Sequence, residues 1–168
     1  MPTGTKDRLI AAAGELIAVG AAPTAAAVAR RAGVSRLTVY HHFGSQPGLL
    51  AAVARESAAP PLEPAGGAAG DRLRSLIHGA CAHWASSPAL FRRLPGGPGQ
   101  VDEQEIHALA SALADADQLR PGCSLREAED VIAVATSFAA FDRLHHDGRR
   151  SPAAVADILH RIAATVLA

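Results

Sequence analysis

Apolar residues recur along this chain at helical spacing, and alternation of period two is missing throughout. Leu9, Ala12, Ala13, Leu16 and Ile17 share one face of a predicted helix over 5–19, which Gly20 ends. Thr24 fits an N-cap for a short helix to residue 32. Gly33 suits a left-handed turn, and Ser35 then caps a third helix running to Phe43. A fourth helix starts near Ser45, carries Leu49, Leu50 and Val53, and fades at Ala59. The stretch 58–70 contains three prolines and several glycines and cannot continue a helix, so it reads as a linker. Further helices are predicted over 71–87, 89–94, 102–119, 124–146 and 152–167, the last two with the most regular apolar spacing.

The expected fold is therefore all-α. It divides into a helical part over residues 1–57, the linker 58–70, and a small helical part over 71–168. With 168 residues, 49% of them hydrophobic, the chain can bury a real core. Total charge is balanced, but its distribution is not: six basic and three acidic residues lie up to Ala59, ten and thirteen beyond it. A basic N-terminal part joined to an acidic remainder suits one part that touches DNA and another kept off the phosphates. No apolar run approaches the roughly 20 residues that cross a bilayer, and no leader opens the chain, so a cytoplasmic protein without membrane contact is expected. Cys81 and Cys123 each stand alone in an apolar setting, which argues against a disulfide.

The segment TAAAVARRAGVSRLTVYHHF, residues 24–43, has the helix-glycine-helix form of a DNA-reading pair. Val28, Ala32, Val34, Val39 and Phe43 would clamp the two helices, leaving Arg36, Leu37, Thr38, Tyr40, His41 and His42 facing outward. An arginine can bond a guanine edge with two hydrogen bonds, a threonine or leucine can pack on a thymine methyl, and a phenol can donate to phosphate. The first-helix pattern LIAAAGELI and the run VARRAGVSRLTVYHHFGSQPGLLAAV, residues 28–53, resemble the tetracycline-repressor (TetR-type) transcriptional regulators. SSPALFRRL at 86–94 and the two long terminal helices resemble the family more weakly.

That resemblance implies a three-helix DNA-binding domain with a helix-turn-helix over 1–57 and a small helical domain for dimerisation and effector binding over 71–168. It also implies base reading by Arg36, Leu37, Thr38 and His41, and backbone contacts from Thr24, Ser35, Tyr40, His42 and Gln46. Gln46 stands where the family usually has a phosphate-holding lysine, and the connection Ala18–Pro23 is about two residues short. Val131, Phe138, Val155, Ile158, Ile162 and Val166 are expected to form a four-helix dimer interface. Cys81, Trp84, Phe91, His107, Phe138 and Phe141 are candidates for lining a pocket for a small hydrophobic effector. His78, Cys81 and His83 do not share one helix face, so no metal is expected, nor any cofactor. No nucleophile–base pair or phosphate-cradling glycine loop points to an enzyme. The expected function is a homodimeric repressor released from its operator by an effector; the alternative is a dimeric interaction module with only non-specific DNA affinity.

Overall fold

The structure is a computed structural model describing residues 4–58, 67–94 and 101–167. All its elements are helical: α1 (Thr5–Ala18), α2 (Ala25–Ala32), α3 (Arg36–Phe43), α4 (Gln46–Glu56), α5 (Ala69–Ser86), α6 (Pro88–Arg93), α7 (Glu103–Asp115), α8 (Leu125–Thr136), α9 (Phe138–Asp142) and α10 (Pro152–Leu167). A π-helical turn, Arg143–Asp147, continues α9. Most of the predicted linker lies outside the described residues.

Two compact units emerge among the described residues, one made of 4–58 and 87–94, the other of 67–86 and 101–167. In the first, α1 to α4 close around Leu9, Ala13, Ile17, Val28, Val39, Leu49 and Val53. The caps explain why the chain breaks into short helices. The hydroxyls of Thr24, Ser35 and Ser45 accept the backbone N–H groups of Ala27, Thr38 and Gly48, at 3.2, 3.1 and 3.1 Å. Gly33 takes the left-handed conformation, φ 68° and ψ 35°, that turns α2 into α3. Gly48 serves a different need: a Cβ there would collide with the Phe43 carbonyl oxygen, so only glycine lets α4 start so close to the end of α3.

The sequence places residues 87–94 in the second domain; the structure instead packs α6 against α1. Leu94 joins the core of the first unit, and Arg93 Nη1 donates to the Ala18 carbonyl at the end of α1, 2.6 Å away. No local pattern announces this, because the contact spans 75 residues.

In the second unit, α10 lies along α5 and α8, and α7 packs on α8 and α5. The single predicted helix over 124–146 is broken. Ser137 leaves the helical conformation (ψ 147°), and its hydroxyl accepts the Ala140 N–H and starts α9. The break frees the Thr136 carbonyl, which accepts the indole N–H of buried Trp84 at 2.9 Å. Thr136 itself is buried, its hydroxyl donating back to the Ile132 carbonyl at 2.8 Å. Among the described residues, no helix is long and apolar enough to cross a membrane.

Candidate nucleic-acid interface

The eight residues of α3 divide sharply. Val39 is buried against the core and Phe43 half-buried, while Arg36, Leu37, Tyr40, His41 and His42 are exposed. Leu37 is 77% exposed, an arrangement without benefit to folding, since an apolar side chain of that size gains by burial. Thr38 is half-buried, its hydroxyl 2.8 Å from that of Ser35. The His41 and His42 rings meet edge to face, centroids 5.7 Å apart. The structure thus leaves five of the predicted DNA contacts exposed on α3, with Thr38 half-buried among them.

Thr24 and Ser35 are exposed and act as N-caps, the latter bonded twice within its own turn. Gln46 opens α4 just after the capping Ser45 and is exposed. These positions lie at helix N-termini, where unpaired N–H groups and the helix dipole favour an anion. Arg31 pairs with Glu15 across α1 and α2.

The six residues proposed to line an effector pocket fall on several elements. Phe91 is buried in the first unit on α6, whereas Trp84 and Phe141 are buried in the second. His107 is exposed on α7, its Nδ1 2.6 Å from Glu129 of α8. Trp84, Phe138 and Phe141 form one aromatic cluster, Phe138 sitting between the other two at centroid distances of 5.7 and 6.4 Å. Cys81 lies one turn before Trp84 and is buried, which pushes its thiol up to about 11.

Of the expected interface residues, Val155 is fully buried within its own chain and has nothing to offer a partner. Val131, Phe138, Ile158 and Val166 are half-buried and Ile162 is 54% exposed. Val134, absent from that expectation, is 64% exposed on α8. With Val131, Ala135, Leu159, Ile162 and Val166 it lines an apolar groove of about 320 Å³ between α8 and α10, edged by Glu127 and Asp130. Val134 shared the spacing of its helix but not the stripe that periodicity singled out.

Residues 9–53 match the family model for bacterial regulatory proteins of the tetR family. No curated protein matches the chain in sequence. Solved structures of similar fold include the fatty acid degradation regulator FadR from Bacillus halodurans (14% identity, 96% of this chain and 99% of that one, TM-score 0.73). The secondary repressor NalD of the MexAB-OprM multidrug efflux pump in Pseudomonas aeruginosa is 20% identical, over 97% and 95% of the two chains (TM-score 0.71). The TetR regulator TylP from Streptomyces fradiae is 20% identical over 98% and 86% (TM-score 0.70). Residues 9–53 therefore belong to the tetR family, and the chain as a whole carries the fold of its regulators. The family match and the shared fold support a DNA-binding transcriptional regulator.

Proposed function

We propose that the chain acts in the cytoplasm as a homodimeric, sequence-specific repressor that a small-molecule effector releases from its operator. The exposed face of α3 carries this proposal: an arginine, a phenol and two imidazoles stand beside a bare leucine on a short helix held rigidly by caps at its start and by Val39 below. In this proposal Arg36, Leu37, Thr38 and His41 read base edges, while Tyr40, His42, Thr24, Ser35 and Gln46 hold the backbone. Two copies joined through α8 and α10 would present their α3 helices about 34 Å apart, one turn of DNA. An effector would favour a form whose two heads no longer match that spacing. NalD, a repressor by name, and TylP, a regulator by name, support the same sign and class of action.

Fluorescence anisotropy of the purified protein on its own upstream DNA, measured against salt, tests the proposal. Binding should exceed that to random DNA, and Arg36→Ala should weaken operator binding by roughly 1–3 kcal/mol while relaxing preference at one base pair. Equal loss on random DNA would remove Arg36 from base reading. A stable dimer with sequence-blind affinity would leave only an interaction module.

A further inference from the structure

The second unit contains a cavity of about 490 Å³ at the start of α5, away from the aromatic cluster. Its volume falls within the roughly 300–1,000 Å³ of small-molecule sites. Leu73, Leu113, Leu119, Pro121, Ala164 and Leu167 make its walls largely apolar. Four polar side chains complete the lining: Asp117, Gln118, Arg120 and His160. The turn that supplies three of them is firmly anchored. The Gln118 N–H donates to the Leu113 carbonyl at 2.9 Å, its side-chain Oε1 accepts the Gly70 N–H at 3.1 Å, and the Arg120 N–H donates to the Leu167 carbonyl. Asp117 holds a positive φ of 54° within it.

Charge decides the kind of ligand. Arg120 and Asp117 offset one another, and the acceptor of Gln118 is already engaged by Gly70. Half-buried His160 adds a second donor to the lining. Its imidazole is held below its ordinary value, first by burial and then by the positive charges of Arg74 and His78 on α5, which Asp157 on α10 only partly offsets. Asp157 is itself engaged by both, at 4.0 Å from Arg74 Nη2 and 3.4 Å from His78 Nε2. Arg120 supplies the cation of this edge and the His160 ring a further N–H donor, opposite an apolar interior.

We infer that this cavity is the effector site, that it takes a small monocarboxylate, and that the carboxylate lies at the Arg120–His160 edge with the hydrocarbon body against Leu73, Leu113 and Leu167. This rests on the effector-released reading above and names its site and ligand class. Because a bound anion favours the imidazolium form of His160, binding takes up a proton. Affinity then rises as pH falls through the lowered imidazole range of His160, below its ordinary 6.5.

Titration calorimetry and amide NMR of the full chain with decanoate, decanol and decyltrimethylammonium test the site. Decanoate should bind and shift resonances of residues 117–121 and 160–167. Decanol should bind about tenfold more weakly, the size of one lost charge-assisted hydrogen bond, and the cationic probe weakest of all. Ala164→Phe, which fills the cavity from a half-buried position, should abolish binding with the melting temperature unchanged. Should that variant not fold, Arg120→Gln carries the same question, weakening decanoate and not decanol. His160→Gln should remove the pH dependence. Equal binding of decanoate and decanol overturns the anionic edge; undiminished binding in Ala164→Phe, or no binding at all, overturns the site. Operator anisotropy run in parallel separates the two claims. Decanoate bound in the cavity without release of DNA overturns the effector reading and keeps the site. Release of DNA by decanoate without shifts at 117–121 and 160–167 overturns the site and keeps the effector reading.

Discussion

Two glycines in helices make opposite predictions because their surroundings differ. At Gly48 a Cβ would meet the Phe43 carbonyl oxygen, a backbone atom that cannot swing aside. Gly48→Ala must therefore separate the end of α3 from the start of α4, at a cost of roughly 1–3 kcal/mol, the size of overpacking in a filled site. Gly79 lies mid-α5, exposed, with nothing within 4 Å of its would-be Cβ. Gly79→Ala should stabilise by about 0.8 kcal/mol through helix propensity alone. Urea unfolding of both variants checks the pair, and a Gly48→Ala protein as stable as the parent would show that the turn relaxes freely. The cysteines differ in the same local way. Burial pushes the Cys81 thiol up to about 11, while Cys123 is half-buried. At pH 8 iodoacetamide should label Cys123 and spare Cys81 until the protein unfolds, as mass spectrometry of tryptic peptides would report. The sign for stability follows: the neutral thiol is favoured in the folded state, so this contribution is complete below the unfolded-state value and is lost as pH rises through about 11.

At the scale of elements, the break between α8 and α9 is the feature that apolar spacing could not show. Phe138 and Phe141 keep the helical period across it, so the sequence reads as one long helix, and only the Thr136–Ser137 pair hints at an interruption. Hydroxyl side chains compete with the helix for backbone partners, and here Ser137 succeeds because its own hydroxyl restarts the helix at Ala140. Ser137→Ala should cost about 1 kcal/mol in thermal unfolding, the value of an N-cap. A neutral result would mean that the Trp84 bond to Thr136 alone sets the break. Elsewhere the short helices of the first unit were legible residue by residue, since a cap hydroxyl or a left-handed glycine acts within a single turn. The place of α6 was not, because the Arg93 bond to Ala18 joins residues far apart in sequence. The outward face of α3 could be read for a related reason: Val39 and Phe43 fix which side is inward, and the remainder follows from the 3.6-residue turn.

At the scale of the whole molecule, the large apolar side chains left open among the described residues fall mainly into two groups. Leu37 and Tyr40 are on α3; Leu125, Val134 and Ile162 are on α8 and α10; Val19 stands apart. Periodicity marks an apolar stripe on α8 and on α10 but not which part of it turns toward its own chain. That is why Val155, wholly buried, was expected at the interface and Val134 was not. In the proposed dimer, Val134 and Ile162 cover the same residues of the second copy about a two-fold axis, as an isologous contact requires. A charge placed there must be buried against its own symmetry mate, so each interface would contain two unpaired carboxylates facing apolar surface. Val134→Asp should then give a folded monomer by sedimentation velocity, because the side chain is solvated within one chain. Operator affinity should fall with it, since a single head retains only one half-site and loses the effective concentration that linkage provides. Val155→Asp makes the opposite case, unfolding the chain itself by placing a carboxylate in its core. A Val134→Asp protein that remained dimeric would move the interface off the α8–α10 groove while leaving the α3 face untouched.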